Sequence, residues 1–116
     1  MEKKVALFAF NGEAMCFVHV LLNALDMKER GMDATLVIEG AATRLIPEFT
    51  NPASPLKPLY DRAAALGLVG GVCKACANKM GALEAATNLG LPLLNDMSDH
   101  PSLGRYMALG YEVLTF

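Results

Sequence analysis

Six consecutive apolar residues, Val5-Ala6-Leu7-Phe8-Ala9-Phe10, run straight into Asn11-Gly12, and no other feature of the chain restricts its fold as much. An uninterrupted apolar run of strand length marks a parallel strand buried on both faces, because a strand with one wet face alternates. Glu13 to Arg30 then reads as a helix. Apolar residues recur at Met15, Val18, Leu22 and Leu25, Lys28 and Arg30 fall late, and Gly31 supplies the stop. Thr35 to Ile38 repeats the buried-strand pattern and ends at Glu39-Gly40. Ala41 to Phe49 reads as a short helix, and Thr50 to Pro58, with Pro52, Pro55 and Pro58, as the one loop-like insertion. Leu59 to Leu66 is a helix closed by Gly67, Leu68 to Cys73 a third strand, and Ala75 to Leu89 a helix closed by Gly90. Pro92 to Asn95 is a short fourth strand. Ser102 to Leu109 is the last helix, stopped by Gly110, and Tyr111 to Phe116 the final strand. Strands alternating with helices over short loops predict a three-layer α/β/α sandwich with a mostly parallel five-stranded sheet, one domain over residues 1–116.

Composition narrows the function classes. Apolar residues make up 53% of the 116 and charged residues 19%, against roughly 45–50% and 25% in ordinary domains. With a mean hydropathy of +0.33, that is more apolar surface than one small monomer easily hides, which predicts a homo-oligomer. A net charge of −2 offers no basic face, so nucleic acid is not an expected partner. The longest apolar stretch, Ala14 to Leu25, contains His19 and Asn23 and is too short to span a bilayer. Lys3-Lys4 before the first apolar run imitates a signal peptide, but the run is too short and meets no cleavage-type sequence; a cytoplasmic location without membrane contact is expected. Three cysteines in a reducing compartment point to reactive or ligating thiols rather than a disulfide framework.

Ligands of parallel sheets bind beyond the carboxyl ends of the strands. That rule gathers Asn11, Gly12, Glu13 and Cys16 from the first loop, Cys73 and Cys76 from the third, and Asp96, Ser98, Asp99 and His100 from the fourth. Cys73-Lys74-Ala75-Cys76 follows Gly70-Gly71 and opens a helix, so two sulfurs come within reach of each other or of one ion. Helix amides, Lys74 and Lys79 are expected to favour thiolate there. The competing reading is two small hydrophobes packed in the core. A thioredoxin-like role fits poorly, because that motif follows a first strand–helix step. Cys16 and His19 lie at i and i+3 on one helix face, and with Cys73 and Cys76 write a four-ligand set suited to zinc or another soft metal. Against it, both sit in an apolar helix where a satisfied core histidine is the plainer reading. His100 offers a base for a thiol, oriented by Asp96 or Asp99. Alternatively Ser98 or Asp99 caps the last helix and Pro101 opens it. Asn11-Gly12-Glu13 places free helix amides at the edge, but a single glycine beside an acidic residue is no phosphate loop.

The order of elements, the stretch Val72-Cys73-Lys74-Ala75-Cys76-Ala77-Asn78-Lys79-Met80 and the closing Gly110-Tyr111-Glu112-Val113-Leu114 resemble the DsrE/DsrF-like (DsrEFH-like) family across essentially the whole chain. The resemblance implies a small cytoplasmic α/β protein with a five-stranded parallel sheet, assembled as a trimer or hexamer. It also implies a sulfur-carrier or sulfurtransferase-like role: one loop cysteine holds a persulfide and passes it between donor and acceptor proteins, with no cofactor required. Counting back from Gly81 places that cysteine at Cys73. Aligning Ala75-Cys76-x-Asn78-x-Met80 places it at Cys76, the preferred assignment, with Cys73 resolving or sharing the sulfur and Cys16 as neighbour. The second thiol departs from a one-cysteine carrier and leaves dithiol or metal chemistry open, as it does a non-catalytic oligomer.

Overall fold

A computed structural model describes residues 2–116 and shows five parallel strands in the order β4-β3-β2-β1-β5. The strands are β1 (Lys4–Ala9), β2 (Asp33–Ile38), β3 (Val69–Cys73), β4 (Leu93–Leu94) and β5 (Glu112–Thr115), and the helices α1 (Ala14–Glu29), α2 (Leu56–Ala65), α3 (Lys74–Lys79), α4 (Leu83–Asn88) and α5 (Leu103–Ala108). A 3₁₀ segment, Gly40–Thr50, follows β2. From β1 the chain steps one way across the sheet to β4, then returns to place β5 on the other side of β1. Right-handed crossovers in one direction stack their helices on one face, and the return sends α5 to the other.

The period-two split of the strands matches that geometry. Val5, Leu7, Ala9, Ala34, Leu36 and Ile38 form one core with Phe17, Val20, Leu21 and Ala24 of α1. Ala6, Phe8 and Val37 face the opposite layer, where Leu103 and Tyr106 of α5 and Tyr111 cover them. The outer layers are therefore unequal: one is built of several helices, the other of a six-residue helix and the loops beside it. Among the described residues no helix is long and apolar enough to cross a membrane.

Five helices end the same way. In each, the amide of the residue after a glycine donates back into the last turn, as in Met32 N to Met27 O, Leu68 N to Ala63 O and Ala82 N to Ala77 O, all 2.8–3.0 Å. Glycine takes the left-handed position at no steric cost, so Gly31 and Gly67 stop their helices as the sequence predicts. Gly81, with φ +73, also ends a helix, and this corrects one expectation: the single helix over Ala75 to Leu89 is two, α3 and α4. The Pro52–Pro58 insertion is shorter than its prolines suggest. Helix α2 begins at Leu56, and Pro58 sits in its first turn, where a missing N–H costs nothing.

The predicted stripe on α1 is rotated. The buried residues are Phe17, Val20, Leu21, Ala24 and Leu25, while Met15 and Leu22 are exposed. The helix is apolar on more than one side, so spacing alone does not select the inward face. His19 consequently lies on the exposed side and is not a core histidine.

Candidate functional site

The carboxyl edge of the sheet is where the architecture converges. Strand β2 ends in Glu39, whose amide donates to Ala9 O at 2.8 Å and whose carbonyl starts the 3₁₀ segment by accepting from Ala42 N at 3.1 Å. Glu39 is only 4% exposed. Among the described residues its Oε2 has no hydrogen-bond partner, an outcome native interiors avoid because the desolvation cost is uncompensated. Burial pushes the Glu39 carboxyl up to about 7, against a smaller opposing pull from the Cys73 thiol.

Strand β3 delivers Cys73 beside it. Gly70 and Gly71 permit this approach through packing rather than ligand contact. A side chain at Gly71 would meet Leu94 at 2.8 Å and the Pro92 carbonyl at 2.9 Å, and one at Gly70 would strike Thr35. Cys73 is fully buried and caps α3, its Sγ accepting from Cys76 N at 3.4 Å. Cys76, one turn on, is half-buried. Thr43, itself buried, donates from Oγ1 to Gly40 O at 2.8 Å and to Cys76 O at 3.3 Å, tying the 3₁₀ segment to α3.

The fourth partner comes from the loop between β4 and α5. Met97 and His100 exchange both backbone hydrogen bonds, at 2.7 and 2.8 Å. The two residues between them, Ser98 and Asp99, have φ of 49° and 66°. This is a type I′ turn without glycine, which costs on the order of 1 kcal/mol per residue. The turn aims the Asp99 carbonyl at Ala75 N, 2.9 Å away, and so docks the loop on α3. His100 Nδ1 then stands 3.0 Å from Cys73 Sγ and 3.8 Å from Cys76 Sγ.

Glu39, Cys73, Cys76 and His100 thus each present a ligand atom within 4.8 Å of all the others. Two thiols, an imidazole and a carboxylate are the donors of a tetrahedral zinc site. The electrostatics inside the chain oppose two of them in their metal-binding forms. Burial pushes the Cys73 thiol up to about 12; the Cys76 amide opposes this, while the Cys76 side chain and Glu39 add to it. The expectation that helix amides and lysines hold this pair as thiolate therefore fails at Cys73, because desolvation outweighs one amide hydrogen bond. Lys74 is half-buried and Lys79 exposed, and among the described residues neither forms an ion pair.

The remaining predicted residues fall outside the group. Cys16 is half-buried in α1 and His19 exposed on it, and the donors that come together are Glu39, Cys73, Cys76 and His100 rather than Cys16, Cys73, Cys76 and His19. Asn11 Oδ1 accepts from Glu13 N at 2.8 Å, which serves the start of α1. Asp96 Oδ2 lies 4.0 Å from Arg105 rather than orienting His100, and Asp99 contributes its backbone. Ser102 caps α5, leaving Pro101 just outside the helix. Glu39 does not stand out in the sequence, where Glu39-Gly40 reads only as a strand stop. The available signal was an acidic residue directly after a buried apolar run, at the edge where the other candidates meet.

No protein-family model matches the chain. It is 30% identical over 97 residues to the uncharacterized protein MJ0733 of Methanocaldococcus jannaschii, covering 84% of this chain and 77% of that one. An uncharacterized protein of Archaeoglobus fulgidus is 49% identical over 43 residues, which are 37% of this chain and 70% of the relative. Among solved structures, a conserved protein of unknown function from Bacteroides thetaiotaomicron, BT1422, superposes with a TM-score of 0.65 at 19% identity, over 96% of this chain and 94% of that one. The last comparison bears on the fold alone. The chain belongs to the family of the archaeal protein MJ0733.

Proposed function

We propose that this member of the MJ0733 family is a metal-binding protein that holds a zinc-class divalent ion on Glu39, Cys73, Cys76 and His100. The observation that carries the reading is the convergence of four donor atoms, from the ends of β2 and β3, the first turn of α3 and the loop after β4, within 4.8 Å. The unpartnered Glu39 Oε2 belongs to the same observation, since a buried acid gains much from a cation. Thiolate ligands disfavour magnesium and calcium, and the carboxylate disfavours copper(I); the mixed set suits zinc. Four protein ligands leave no open position, which supports holding or passing the ion rather than Lewis-acid catalysis. The test is metal analysis and calorimetric zinc titration of protein purified without chelator. One zinc per chain is expected, with His100→Ala weakening binding by one ligand's share, about 100-fold. Substoichiometric zinc, copper and iron together with no titratable site would overturn the reading.

One observation favours sulfur carriage as a second reading. Cys76 is the accessible thiol of the pair, 3.8 Å from His100, at the position the DsrE/DsrF-like resemblance selects. A persulfide on Cys76 would occupy the sulfur that a metal needs, so the two uses exclude each other at any moment. Incubation with a sulfane-sulfur donor such as thiosulfate, which gives up one sulfur atom and leaves as sulfite, followed by mass spectrometry of the peptide carrying Cys76, decides it. An adduct of one sulfur atom supports carriage, and an unmodified thiol removes it.

A further inference from the structure

The two sulfurs of the group differ in a way that metal holding does not require. Cys73 is fully buried, whereas Cys76 is half-exposed, and both stand at the start of one helix. Oxidants arrive from solvent, so only Cys76 is open to first attack. Cys73 Sγ already accepts from the Cys76 amide at 3.4 Å, and the two sulfurs lie within 4.8 Å. A residue at the cap and one three positions on keep Cα atoms within the reach of a disulfide, up to about 7 Å. His100 Nδ1, 3.0 Å from Cys73 Sγ, stands where the proton of that thiol must go.

We propose that Cys76 and Cys73 are a hydroperoxide-responsive pair, Cys76 taking the oxygen and Cys73 closing a disulfide that expels the metal. The inference rests on the metal reading for its outcome but not for its chemistry. In the first step the Cys76 sulfur displaces water from hydrogen peroxide and becomes a sulfenic acid, its own proton leaving in that water. In the second, Cys73 sulfur attacks Cys76 sulfur, the S–O bond breaks, and hydroxide departs. The Cys73 proton passes to His100 and then to the hydroxide, giving a second water. Overall two cysteine sulfurs lose two electrons and one peroxide gains them. Starting from the metal-bound thiolates, two protons are drawn from solvent instead and the divalent ion is set free. A disulfide sulfur is a poor ligand, so only Glu39 and His100 remain, too few for a stable site.

The test uses the full chain loaded with zinc, treated with hydrogen peroxide in the presence of a chromogenic zinc indicator. The expected result is one zinc released per Cys73–Cys76 cross-link found by peptide mapping, reversed by dithiothreitol and unchanged in Cys16→Ser. With dimedone present during oxidation, the label is expected on Cys76 and not on Cys73, and more strongly in Cys73→Ser, where no partner resolves the sulfenic acid. Zinc retained with both thiols reduced at excess peroxide would overturn the proposal. So would dimedone on Cys73, or a cross-link through Cys16. Should the chain bind no zinc, the metal reading fails alone, because the cross-link and label in the metal-free chain still judge the pair.

Discussion

The two edges of the sheet handle charge in opposite ways. At the amino-terminal edge, Lys3 and Glu112 stand 3.4 Å apart and Arg30 and Asp26 2.9 Å apart, all well exposed. They rim a cleft of about 450 Å³ floored by Val5, Met27, Met32 and Leu114. Each of these charges has both water and a counter-charge. At the carboxyl edge Glu39 is instead buried, with one unpaired oxygen among the described residues, beside two thiols and an imidazole. The charges of the amino-edge cleft are paired, and the acid of the carboxyl-edge cluster is not. An unpaired buried acid, rather than cavity volume, is what singles out the carboxyl edge as the place for the proposed ion.

The comparison breaks most visibly if zinc is added. A ligand at about a thousand times its dissociation constant adds about 4 kcal/mol to stability, which for a chain of this size raises Tm by roughly 10–20 °C. Differential scanning calorimetry with zinc and with chelator reads this, and an unchanged Tm would leave the carboxyl edge unexplained. Glu39→Gln is the next largest effect, and its sign is unusual. The folded carboxyl titrates near 7 and the unfolded one near 4.5, so between those values the native state holds more protons and stability falls as pH rises. Above pH 7 the metal-free protein is penalised by on the order of 3 kcal/mol. Glu39→Gln is therefore expected to stabilise the metal-free chain at pH 8, by up to that amount, and to leave it unchanged at pH 4, while zinc binding is weakened. Urea unfolding at the two pH values checks it, and equal effects at both would contradict the buried charge.

Zinc binding itself should tighten with pH, because the ion displaces protons from Cys73, pushed up to about 12, and below pH 7 also from Glu39. A plot of log affinity against pH is expected to lose about one unit of slope on passing pH 7. Calorimetry over pH 6 to 8 measures it, and a flat profile would mean that neither group binds the ion. The smallest effect belongs to the other edge. Glu112→Ala should change stability by less than about 0.5 kcal/mol, since exposed pairs contribute little. A loss above about 1 kcal/mol would show that the amino edge is not the passive one.

Much of this was legible in the residues. The uninterrupted run Val5–Phe10 marks a parallel strand because nothing else of that length tolerates apolar side chains on both faces, and the glycines after four helices mark their ends. Cys73, Cys76 and His100 were legible as neighbours because strand ends of a parallel sheet share one edge. Four things were not. The inward face of α1 depends on which of two apolar stripes meets the sheet, a tertiary choice. Gly81 looks like one glycine within a long helix, though its left-handed backbone splits it. Glu39 needs burial to become significant, and a lone acid at a strand end is ordinarily solvated. The different burial of Cys73 and Cys76 likewise depends on depth, which spacing does not encode.

A metal held on Glu39, Cys73, Cys76 and His100 is proposed to complete the carboxyl edge. Zinc K-edge X-ray absorption of the loaded protein tests it most directly. The account predicts a four-coordinate ion with two sulfurs at about 2.3 Å and two nitrogen or oxygen ligands at about 2.0–2.1 Å, one light ligand vanishing in His100→Ala. A shell of light atoms alone, with Cys73 and Cys76 still free to react with thiol reagents, would contradict it.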